Sequence, residues 1–145
     1  MNRYFDYPIK LAKQKEGGYL VRFPNFPEAI TQGNNKQEAI HEAQDCLEEA
    51  VANRMAMKLA IPKPSKAKKS GVLIALPATL AAKAALYITM RNKKLTNVAL
   101  AKKLNCDEKE VRRLLDPDYT SKFPRIEYAL NILGQKLHIG IVHSV

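Results

Sequence analysis

Residues 97–115 read Asn-Val-Ala-Leu-Ala-Lys-Lys-Leu-Asn-Cys-Asp-Glu-Lys-Glu-Val-Arg-Arg-Leu-Leu, and this stretch decides how the second half of the chain folds. It fits two short helices joined by a tight turn. Ala101 is small where the helices must cross, and Asn105 tolerates the left-handed backbone that the turn demands. Leu100, Leu104, Val111 and Leu114 supply an inward apolar face. Thr96 can cap the first helix, and Asp107 or Glu108 suits the positive end of the second. The pattern is that of a helix-turn-helix, whose second helix enters the major groove of DNA.

Four residues are then left facing outward and are the expected base readers. Arg112 and Arg113 can present a bidentate fork to guanine, Lys109 can reach guanine or phosphate, and Glu108 can accept from cytosine. Thr96, Asn97, Lys102 and Lys103 lie near the first helix and, with Lys122 and Arg125, are expected to hold phosphates. A lone motif of this kind binds weakly, so a homodimer or larger even homo-oligomer reading paired half-sites on duplex DNA is expected. The bland alternative is a helical hairpin with a solvated charged face. Charge argues against it: residues 1–60 hold eight Lys/Arg and eight Asp/Glu, whereas residues 61–145 hold sixteen and six. A neutral half joined to a basic half suggests that the second half meets a polyanion.

The 145 residues suffice for one ordinary domain or two small ones, and the charge asymmetry favours two. The polar and aromatic start, residues 1–7, has no apolar run behind it, so a cytoplasmic protein is expected. Residues 71–90 form the longest apolar stretch, but Pro77, Lys83 and several Thr and Ala residues spoil it as a membrane span. Cys46 and Cys106 lack metal-ligand spacing and are expected to be packing or surface thiols.

In the first half, Phe5, Tyr7, Ile9 and Leu11 alternate over residues 4–11, and residues 19–23 are again strand-like, with Lys15-Glu16-Gly17-Gly18 as the turn. The prolines of residues 23–27 break ladder pairing, and residues 29–32 return as a short third strand. Asn35 with Glu38 makes a capping-box start to a helix over residues 36–57. Its outer face carries Glu38, Glu42, Asp45 and Glu49, a solvated row that could also dock a basic partner. Residues 61–71, rich in proline and lysine, are expected to be exposed and mobile. Residues 72–76 form a strand able to complete the N-terminal sheet, and Pro77 opens a helix running to about Met90. Phe123-Pro124 precedes a helix to Leu133 that Gly134 can cap, and residues 137–142 alternate like a last strand. The expected class is α+β, with a β-β-β-α-β domain over residues 1–76 and a helical domain over 77–145.

The series Glu16-Gly17-Gly18-Tyr19, Phe23-Pro24, Pro27-Glu28-Ala29, Thr31-Gln32-Gly33 and Glu38-Ala39, with the region 104–115, resembles the HicB-type antitoxins in order and spacing over nearly the whole chain. The resemblance implies a partial ribonuclease-H-like N-terminal domain that binds and occludes a small HicA-type ribonuclease toxin. It also implies a C-terminal DNA-binding domain that represses the operon, here of the helix-turn-helix branch. The acidic row Glu38, Glu42, Asp45 and Glu49 would then be the toxin-facing candidate.

Catalysis is not expected. A working ribonuclease H needs several carboxylates on two metal ions, and the strand region offers only Asp6 and Glu28. His41, His138 and His143 are scattered, and no phosphate loop or nucleophile elbow appears, so no cofactor or metal is expected either. The rival readings are a stand-alone helix-turn-helix transcription regulator with an N-terminal ligand-sensing domain, and a nuclease whose basic half delivers substrate.

Overall fold

A computed structural model describes residues 4–69 and 71–143. The chain is α+β and divides into two compact units, Met1–Ala81 and Ala82–Val145. The division falls at the end of the first turn of a helix.

Unit 1 runs β1 (Asp6–Pro8), β2 (Lys10–Lys13), β3 (Tyr19–Phe23), β4 (Phe26–Gly33), α1 (Lys36–Ala56) and β5 (Leu73–Ala75). The single first strand expected over residues 4–11 is two strands. β1 pairs antiparallel with β5, while β2 joins a three-stranded antiparallel sheet of order β2-β3-β4. The switch comes where Pro8 lacks a donor and the Ile9 amide bonds the Val72 carbonyl at 3.1 Å. β5 therefore extends β1 and does not complete the three-stranded sheet. β4 starts at Phe26, earlier than residues 29–32. Pro27 fits within it because it lies in the register break between the Phe23–Phe26 and Arg22–Ile30 pairs, where it has no ladder partner.

α1 closes over the sheet with Ala39, Ala43, Leu47, Ala50, Val51 and Met55 inward, at helical spacing. They meet Tyr7, Val21, Phe23 and Phe26, all essentially inaccessible. Only half of the capping box forms. The Glu38 backbone amide donates to the Asn35 side chain at 2.8 Å, but the Glu38 carboxylate accepts from the Asn34 side-chain Nδ2 instead of reaching back.

The segment expected to be exposed and mobile is pinned over its first five residues. Ile61 is buried, and the Tyr7 hydroxyl donates to the Pro62 carbonyl at 2.7 Å. Asn25 donates to Lys63 O and accepts from the Ser65 amide and hydroxyl. The cause is non-local: a buried phenol must find an acceptor, and the proline-broken turn at Asn25 supplies a matching polar edge. Four lysines, Lys63, Lys66, Lys68 and Lys69, thus belong to unit 1 and give it part of the positive excess that sequence position assigned to the second half.

Unit 2 comprises most of α2 (Ala78–Asn92), then α3 (Asn97–Leu104), α4 (Glu108–Leu115) and α5 (Phe123–Ile132). Leu86, Leu100, Val111, Ile126 and Ala129 are fully buried at its centre. Phe123 and Pro124 lie inside α5 as its first residues, where proline's missing donor costs nothing. Residues 137–142 are not a strand. Leu137 packs on the helical core, while Ile139, Ile141 and Val142 are exposed. Among the described residues unit 2 holds no other strand, so the alternation has nothing in its own unit to pair with.

Candidate functional site

In unit 2 the turn between α3 and α4 is built as its residue types require. The Thr96 side chain accepts from the Ala99 amide at 3.0 Å and starts α3. Asn105 ends it at φ 54°, ψ 47°, the left-handed region, with its amide bonded back to Ala101 and Lys102. Asp107 accepts from the Glu110 amide at 2.9 Å and starts α4. Leu100, Ala101, Leu104, Val111 and Leu114 all face the core.

Lys109, Arg112 and Arg113 are exposed on α4, and Glu108 is half-buried. Arg112 Nε lies 3.1 Å from a Glu108 oxygen, one turn away. Two candidate readers are thus paired in the free chain. An exposed pair of this kind is worth only a few tenths of a kcal/mol, roughly 0.3–0.5, and opens readily for a base edge. Arg113 rests over the Tyr119 ring at 5.1 Å. Among the phosphate candidates, Lys102, Lys103 and Lys122 are exposed and Asn97 is half-buried. Thr96 already accepts as a cap, which leaves its hydroxyl hydrogen for an outside acceptor. Arg125 stands apart from these: its guanidinium donates to Glu110 at 2.7 Å and lies over the Tyr128 ring at 5.3 Å. That carboxylate raises the Arg125 pKa further, and the pair links α4 to α5.

Sequence reasoning treated Lys83 only as an interruption of an apolar stretch. It is 1 % exposed. Its ammonium donates to the carbonyls of Arg113, Asp116 and Tyr119 and to Ser121 Oγ, at 2.7–2.9 Å. The signal was in the sequence: Lys83, Leu86 and Met90 share the spacing of the inward face of α2.

In unit 1 the acidic row stays on one flank of α1. Asp45 and Glu49 are exposed, while Glu38 and Glu42 are half-buried. Glu38 is further engaged by Asn34. Glu28 belongs to a different arrangement, since both its oxygens accept from Arg54 at 2.6 and 2.8 Å. That hydrogen bonding holds the Glu28 carboxyl below its ordinary pKa, and Arg54 also donates to Ala60 O and covers the Phe26 ring. Among the described residues, no group of three His, Cys, Asp or Glu residues is placed to hold a metal ion. Cys46 and Cys106 are free, half-buried thiols whose pKa burial pushes up. No described helix is long and apolar enough to cross a membrane.

These features define a two-unit α+β protein with a small helical unit that presents cations and an N-terminal unit of sheets under one long helix. Residues 6–85 match the family model described as the HicB-like antitoxin of bacterial toxin-antitoxin systems. Antitoxin HicB 2 of Photorhabdus laumondii is 34% identical over 96% of this chain and 98% of that relative. Antitoxin HicB of Escherichia coli K12 is 31% identical over 94% and 99% respectively. The chain belongs to the HicB antitoxin family, which is non-enzymatic and regulatory.

Proposed function

We propose that this antitoxin binds and occludes a small HicA-type ribonuclease toxin through unit 1 and represses its own operon by binding operator DNA through unit 2. The observation that carries the DNA reading is the α3–Asn105–α4 arrangement, two short helices joined at a left-handed turn with Lys109, Arg112 and Arg113 exposed on the second, which we read as a helix-turn-helix. Glu108 completes the base-reading set. Thr96, Asn97, Lys102, Lys103, Lys122 and Arg125 are the phosphate set, Arg125 being paired with Glu110 in the free chain. Unit 1 is read as a partial ribonuclease-H-like domain, and the flank bearing Glu42, Asp45 and Glu49 is its toxin-facing candidate. Exposed Ile139, Ile141 and Val142 support a homodimer or larger even assembly, and a cytoplasmic location belongs to the same proposal. The shallow, open groove on unit 1 lined by Asn35, Gln37, Ile40 and His41 is mostly apolar and the one lined by Gln14, Tyr19 and Gln32 mostly polar; neither is an enclosed cavity that would bury a small ligand, which supports an interface over a ligand sensor.

Anisotropy titrations of the full chain on an operator duplex test the DNA reading. Affinity is expected to fall steeply with salt, and Lys102→Ala or Lys103→Ala to lower the slope by about one unit each. Arg112→Ala or Arg113→Ala is expected to cost about 1–3 kcal/mol and to relax preference at one base pair. Equal losses on operator and random duplex for both arginines would make them phosphate contacts and reverse the assigned orientation of α4.

A further inference from the structure

We propose that Lys83 is a positioning residue for DNA binding: its buried ammonium gathers the last carbonyls of α4 and the loop after it, and thereby sets where Arg113 and Tyr119 stand. The inference rests on the DNA-binding reading of unit 2 and adds to it a residue that touches no DNA.

Space-filling alone does not explain a lysine here. Burying an ammonium is costly unless every hydrogen finds an acceptor, and a Met or Leu would fill the same volume without that cost. Burial indeed lowers the Lys83 pKa, with the nearby Asp116 charge opposing. Among the described residues, no carboxylate bonds the ammonium. Asp116 contributes its carbonyl, while its side chain accepts from the Asp118 amide. The ammonium is instead spent on backbone: Arg113 O at 2.9 Å, Asp116 O and Tyr119 O at 2.7 Å, and Ser121 Oγ at 2.8 Å. Three hydrogens serve four acceptors, so one bond is shared.

All four acceptors lie in a short stretch, residues 113–121, that starts on α4 and ends just before α5. A cation is favoured at the C-terminal end of a helix, where carbonyls lack partners. Ser121 Oγ also donates to Arg113 O at 3.2 Å, closing the loop on the same point. The Tyr119 ring lies between two cations, 5.8 Å from Lys83 Nζ and 5.1 Å from the Arg113 guanidinium. Tyr119 is thus fixed from the inside by Lys83, through its carbonyl and its ring, and on the outside it supports the side chain of a candidate base reader. Removing the ammonium frees the loop, the ring and the arginine together.

The test is a double-mutant cycle in the full chain, with operator anisotropy and thermal melting followed in parallel. Lys83→Met is expected to keep the helical signal and to weaken operator binding by on the order of tenfold. In an Arg113→Ala, Tyr119→Ala background the same substitution is expected to change affinity by less than about twofold. A purely structural role would lower the active fraction equally in both backgrounds. Equal losses in the two backgrounds, or operator binding by folded Lys83→Met at the native level, overturn the proposal. Where Lys83→Met melts too low to assay, Lys83→Gln fills similar space but brings only two hydrogens, on a shorter stem, to the same carbonyls. It is expected to weaken binding several-fold only when Arg113 and Tyr119 are present, and an unchanged or background-independent affinity overturns the proposal. Failure of the unsubstituted chain to bind operator at all would instead remove the DNA-binding reading.

Discussion

A chain ending at Ala81 is expected to protect cells against the cognate toxin as well as the full chain does, while operator expression becomes fully derepressed. Unit 1 carries its own apolar residues, among them Tyr7, Phe23, Phe26, Leu47 and Val51, all of them buried. A cut at Ala81 retains β5, which pairs with β1, and the Leu76 amide, which bonds Phe5 O at 3.1 Å. It also keeps Gln44 of α1 bonded to the Ala75 carbonyl at 2.9 Å. What is lost is α3, α4 and every candidate DNA contact. The assay is growth during toxin co-expression beside an operator reporter, with a melting curve to show that the truncated chain folds. A folded truncation that fails to rescue growth would move toxin binding out of unit 1. Reversing charge at Glu42 and Asp45 in the same fragment is expected to slow toxin association more than it speeds dissociation, because exposed charges act mainly by steering.

Gly33→Ala is expected to destabilise unit 1 by about 3 kcal/mol, the upper end of the usual overpacking range. A Cβ at Gly33 would stand 2.6 Å from Ala39 Cα and 2.8 Å from the Glu38 carbonyl carbon. These are backbone atoms in the first turn of α1, so no side chain can swing aside. Gly33 is the last residue of β4 and pairs with Tyr19, and its missing side chain lets the helix start directly against the strand. The same place constrains Gly18, whose added Cβ would meet Gly33 O at 2.7 Å at a φ of +80°. With total stabilities of about 5–15 kcal/mol, such a loss lowers the melting point steeply and weakens toxin rescue at growth temperature. Unit 2 should keep its helical signal, since its core is drawn from other residues. Gly17→Ala is the control, with open space around its Cβ but a φ of +98°. It should cost only the backbone strain, roughly 1–2 kcal/mol. Melting of Gly33→Ala at the native temperature would show that the strand and helix separate more easily than their contact implies.

Much of this was legible in the residues, and what was legible is local. Asn35, Thr96, Asn105 and Asp107 each act within a few residues of themselves, so caps and the left-handed turn follow from residue type and position. The inward faces of α1, α3 and α4 follow from helical spacing. The ordered glycine and aromatic series of the first half carried the family resemblance, and part of that series is the close strand–helix contact at Gly18 and Gly33. Tertiary structure alone decided the rest, because those outcomes depend on partners far away in sequence. The first strand divides because Asp6–Pro8 and Lys10–Lys13 find different neighbours. Residues 61–65 are held because a phenol 55 residues earlier needs an acceptor. Residues 137–142 alternate like a strand yet remain unpaired, since alternation specifies a face but not a neighbour. Arg125, exposed by its sequence context, is taken by Glu110, and Lys83, placed among alanines, becomes the buried anchor of a loop more than 30 residues away. Backbone preference and periodicity act within a turn or two of the chain, whereas a buried charge or hydroxyl is satisfied by whatever the fold brings within about 3 Å.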